Sequence, residues 1–85
     1  MMSNHPHVAI AKRLKRANGH LETIIEMIEQ GRPCVEIAQQ LRAVEGAIAN
    51  AKKALIQDHI GRGLKAAGAK GGAALRDFRA IAKYL

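Results

Sequence analysis

The sequence predicts an all-α fold, an antiparallel helical hairpin followed by a short third helix. Three observations predict it. The apolar residues are mostly Ala, Ile and Leu, with one Phe, one Tyr and no Trp, a mix that favours helices. Val and Thr are scarce, and no stretch alternates apolar and polar as a half-buried strand would. Two long segments instead repeat apolar residues at alternating spacings of four and three. The chain of 85 residues reads as one small domain without internal repeats. A single hairpin cannot cover its own apolar seams. Two hairpins can do so as a four-helix bundle, so dimerisation is expected.

Residues 1–7 read as a flexible arm ending in His5, Pro6 and His7. Helix 1 is predicted over 8–30, with Ile10, Leu14, Ala17, Leu21, Ile24 and Ile28 along one stripe. Gly31 is its stop signal. Helix 2 is predicted over 33–60. Pro33 suits its first turn, where a missing N–H costs nothing, and Glu36 there favours the helix dipole. Its stripe is Ile37, Leu41, Val44, Ile48, Ala51 and Leu55. Gly61, Gly63 and "AAGAKGG" predict a linker over 61–72. Helix 3 is predicted over 73–85, with Leu75, Phe78, Ile81, Ala82 and Leu85 on one face.

The formal charge of +7 points to a polyanionic partner. Lys12, Arg13, Lys15 and Arg16 cluster on helix 1; helix 2 adds Arg42, Lys52 and Lys53. From Gly61 onward there are six basic residues against one acid. Such clusters neutralise phosphates and release counterions. No aromatic residue interleaves with them, so single-strand stacking is a poor fit. The competing reading of a charge run is a solvated face. No apolar run reaches 18 residues, so no membrane partner is expected. The single cysteine excludes an internal disulfide framework, and a cytoplasmic location is expected. Paired carboxylates, a Ser-His-Asp set and a phosphate-cradling loop are all missing, so an enzyme is not expected.

That cysteine, Cys34, stands at the start of helix 2, and His59 follows 25 positions later. At 100° per residue the two share a face, separated by roughly 37 Å of helix rise. They can meet only across a dimer, if helix 2 packs antiparallel against its symmetry mate. The two-fold axis would then cross near Gly46 and Ala47, small residues suited to a close crossing. A thiolate and an imidazole suit metals of intermediate softness, and the thiolate is also a nucleophile. The blander reading is a small buried cysteine and an ordinary surface histidine.

The segment from Ile10 to Ile60 resembles the copper-sensitive operon repressor family of the CsoR/RcnR/FrmR type. The likeness is carried by R-L-x-R-x-x-G-H (Arg13 to His20), C-x-x-x-x-Q-Q-L (Cys34 to Leu41) and the pair Asp58-His59. The resemblance implies a dimer of hairpins that pairs into a tetramer, binds operator DNA and releases it on meeting an inducer. It implies Arg13, Arg16 and Arg42 as DNA contacts, and Cys34 with His59 of another chain as the inducer site. The family's metal sensors carry a further Cys or His four residues after that histidine; here the position is Gly63, which ligates nothing. The second cysteine needed for reactive-sulfur sensing is missing. His5 and His7 are the arm residues placed to complete a metal site. Formaldehyde sensing resembles what remains, though the family's sensors present an N-terminal proline and this chain begins Met-Met. Formaldehyde and a divalent metal both stand as inducers; the alternative function is a basic helical interaction module without inducer response. No cofactor is required; nickel, cobalt or zinc are the candidate metal effectors.

Overall fold

The computed structural model describes residues 7–67 and 71–85, with side-chain surroundings for 7–62, 72 and 75–85. Three helices follow in order: α1 (Val8–Glu29), α2 (Cys34–Ala67) and α3 (Gly71–Ala82). No strand occurs among the described residues. The chain divides into two compact units, Met1–Ala51 and Lys52–Leu85. The sequence reads as one domain, and the division falls inside α2, because that long helix gives its two parts different packing partners.

The first unit is the hairpin of α1 and the first half of α2. Its turn is a Schellman motif. Gly31 adopts φ 73°, Gly31 N–H donates to the Ile28 carbonyl (3.0 Å) and Arg32 N–H donates to the Met27 carbonyl (3.0 Å). These bonds satisfy carbonyls that the end of α1 would otherwise leave unpaired. A Cβ at Gly31 would meet nothing within 4 Å, so its glycine is required by backbone angle and not by space. Pro33 lies one position before α2, its carbonyl accepting from Ile37 N–H (3.2 Å), so Cys34 opens the helix.

The buried core of this unit is Ala17 and Ile24 on α1 with Val44 and Ala51 on α2. Each pair is seven residues apart, two turns of helix, and half-buried Ile10 and Ile37 extend the two lines at the same interval. The other members of the predicted stripes are not buried. Leu14, Leu21 and Ile28 on α1, and Leu41 and Ile48 on α2, are 37–55% exposed. They too recur at sevens. One heptad line per helix therefore closes the hairpin, and a second, equally apolar line lies uncovered beside it.

The second unit pairs the remainder of α2 with α3. Ile56 is buried there, with Ile60, Ile81 and Ala82 half-buried. Of the linker predicted over 61–72, residues 61–67 continue α2 and 71–72 open α3, while 68–70 lie outside the described residues. A helical glycine costs only about 1 kcal/mol relative to alanine. Strong helix formers at Arg62, Leu64, Lys65, Ala66 and Ala67 offset that cost. An i,i+4 bridge from Arg62 Nε to Asp58 Oδ2 (3.0 Å) spans Gly61. No described helix is long and apolar enough to cross a membrane.

Candidate functional site

The two sequence motifs of the hairpin meet at one hydrogen bond. His20 closes the first motif on α1 and Gln40 lies in the second on α2. His20 Nε2 and Gln40 Oε1 stand 2.5 Å apart and part-buried. The ring nitrogen donates to the amide oxygen, fixing the axial register of α1 against α2. The spacing of the motifs carried no sign of this pairing, since His20 and Gln40 are neighbours only once the turn has reversed the chain. Toward the turn lies an open polar cleft of about 400 Å³, lined by Thr23, Glu26, Arg32, Glu36 and Gln39 among others. Arg32 and Glu36 are paired across its rim (2.5 Å), half-exposed, a contact worth little in water.

Cys34 is exposed. It heads the uncovered apolar line of α2, since Cys34, Leu41 and Ile48 are spaced by sevens. A surface that covers Leu41 and Ile48 therefore reaches the thiol. Gly46 and Ala47, expected at a close helix crossing, do not share that line; they lie about 160° and about 100° around α2 from Ile48. A Cβ at Gly46 would meet nothing within 4 Å.

His59 belongs to the second unit and Cys34 to the first. Its Nε2 is 2.5 Å from Asp77 Oδ2, a contact that ties α2 to α3. The imidazole N–H donates and the carboxylate accepts. Asp77 was not among the residues singled out by spacing, and nothing local in the sequence marks it. His7, assigned to the flexible arm, is instead the N-cap residue of α1, half-buried, its carbonyl accepting from Ala11 N–H (2.9 Å). The 22 residues of α1 separate it from the turn by about 33 Å, so His7 and Cys34 of one chain are at opposite ends of the hairpin. His5 lies outside the described residues. Among the described residues, no group of three or more His, Cys, Asp or Glu side chains is gathered to hold a metal ion.

Lys12, Arg13, Lys15 and Arg16 on α1, Arg42 on α2 in the first unit and Lys52 in the second are all exposed. No ion pair or hydrogen bond among the described residues engages the α1 four. Around α1, Lys12, Arg16 and Arg13 span an arc of about 100°, with Lys15 about 60° outside it. The uncovered aliphatic line lies on the far side of the buried one. A partner laid on Leu14, Leu21 and Ile28 therefore leaves the cation arc open. Glu26 and Glu29 occupy the last turn of α1, where the helix dipole disfavours them. The helix thus carries cations on one half and acids on the other, without help from its own dipole.

Comparison with known proteins places these features in context. Residues 7–84 match the family model described as metal-sensitive transcriptional repressor. The copper-sensing transcriptional repressor CsoR of Mycobacterium ulcerans is 38% identical over 52 residues, covering 61% of this chain and 44% of its own. CsoR of Bacillus subtilis is 42% identical over 50 residues, covering 59% and 50%. The copper-sensing repressor RicR of Mycobacterium tuberculosis is 34% identical over 62 residues, covering 73% and 65%. The chain spans about half the length of the curated relatives it matches. No solved structure gives a significant match.

Proposed function

The chain belongs to the metal-sensitive transcriptional repressor family, and from that premise we propose that it binds operator DNA and releases it when an inducer engages Cys34 of one copy and His59 of another. The reading is carried by the cation arc of α1. Three exposed cations with no ion pair among the described residues supply the sequence-independent attraction that a duplex needs. The uncovered aliphatic lines give the second copy its seat. Leu14, Leu21, Ile28, Leu41 and Ile48 are already about half covered, so burying the rest against their equivalents contributes about 1 kcal/mol for each. Antiparallel α2 packing then brings the thiol at the head of one line level with His59 of the mate. Dimers pair further into a tetramer, and the protein works in the cytoplasm.

A metal is the inducer this reading favours. The relatives named above are copper-sensing proteins. Gly63 stands where a third soft ligand would be expected, so the donor set here is poorer in sulfur. That same poverty keeps formaldehyde as a second reading, because an exposed lone thiol is a competent nucleophile. Inducer binding releases DNA only if the inducer prefers the released form. The test is Cys34→Ala. It should bind its own upstream duplex like the unaltered protein and ignore the inducer. Full release of DNA from Cys34→Ala by metal and by formaldehyde would end the proposal. Intact-protein mass spectrometry separates the two inducers: a chelator-removable adduct is metal, a persistent small mass gain is a covalent bridge.

A further inference from the structure

We infer that Asp77 of α3 is a metal ligand, joining His59 to make the oxygen–nitrogen half of a site for a divalent ion. The inference rests on the reading just given, in which His59 belongs to the inducer site. His59 Nε2 and Asp77 Oδ2 are 2.5 Å apart, on different helices of one unit, with side chains 43% and 54% exposed. An imidazole N–H held by a carboxylate is a pair bridged by a proton. A divalent cation takes the place of that proton, which leaves to solvent or moves to the other ring nitrogen, and both donors then bind the ion. Two ligands at about 2.0–2.1 Å in a tetrahedral shell stand roughly 3.3 Å from each other. The pair therefore needs to open by about 0.8 Å, within the freedom of two half-exposed side chains.

The chemistry of the donor set fixes the class of ion. Imidazole, carboxylate and one thiolate, the last from Cys34 of a second copy, form a borderline N/O/S set. A hard carboxylate is a poor ligand for copper(I) and a good one for zinc(II), cobalt(II) or nickel(II). Asp77 thereby supplies from α3 the donor that Gly63 cannot supply from α2. Because the two donors sit on different helices, filling the site also fixes α3 against α2, which gives the ion a mechanical consequence.

The test uses the purified full chain titrated with cobalt(II), zinc(II) and copper(I). Asp77→Asn still accepts the His59 N–H, so the helices stay paired while the charged donor is gone. It should weaken cobalt(II) and zinc(II) binding on the order of tenfold or more, at least the loss seen when an outer-shell partner is removed. It should leave copper(I) affinity within about twofold. Asp77→His should restore cobalt(II) binding with shifted d–d bands, a change that a purely structural contact would not produce. The inference is overturned if Asp77→Asn keeps the cobalt(II) affinity and spectrum of the unaltered chain, or if that chain binds neither cobalt(II) nor zinc(II). The underlying reading fails separately, through Cys34→Ala that still releases DNA on induction.

Discussion

Arg16→Ala tests the nucleic-acid face with a magnitude that follows from geometry. Arg16 is exposed, makes no ion pair among the described residues, and sits mid-arc between Lys12 and Arg13. Removing it takes no contact from the hairpin core. Arginine to alanine also keeps helix propensity high, so stability should stay within about 0.5 kcal/mol. If the three arc cations of each copy meet phosphates, a two-copy footprint neutralises about six, and log K against log salt falls with slope roughly −5.4. The variant loses about two contacts, which brings the slope to roughly −3.6. Between 50 and 200 mM salt the unaltered protein should lose about a thousandfold in affinity and the variant about a hundredfold. Fluorescence anisotropy of a labelled operator duplex over that salt series reads both slopes. An unchanged slope, with unchanged thermal unfolding, would show that the arc does not face DNA.

The other predictions address the scaffold. Gly31→Ala should destabilise the hairpin by about 1–2 kcal/mol in denaturant titration, because alanine pays the left-handed backbone penalty without any steric clash. Ile24→Ala, at a side chain 1% exposed, should cost about 2–5 kcal/mol by the same measurement. Gln40→Ala leaves the part-buried His20 nitrogen without its acceptor and should cost about 1–3 kcal/mol. Ile48→Glu places a charge on the uncovered line while sparing the buried one. It should shift sedimentation toward the single chain and leave helicity of the hairpin intact; unaltered assembly would mean that this line is not the seat of the second copy.

What the residues alone determined is everything that depends on local period and composition. The four-three spacing and the Ala, Leu and Ile content specified helices, Gly31 marked the turn, and the basic run on α1 marked an exposed cationic stretch. The motifs also carried the family, which the match over residues 7–84 supports. Helix ends beyond Ile60 were not legible, because glycine weakens a helix by too little to stop it when strong formers follow. Tertiary structure alone decided which half of each apolar stripe closes the hairpin and which is left open. Leu14 and Ala17, or Leu41 and Val44, belong to one four-three stripe, and the more apolar of each pair is the exposed one; only the angle at which the second helix meets the first separates them. The same holds for His59 and Asp77, 18 positions apart, and for His20 and Gln40 across the turn. A hydrogen bond between helices depends on where two backbones lie in space, and no local pattern of side chains records that distance.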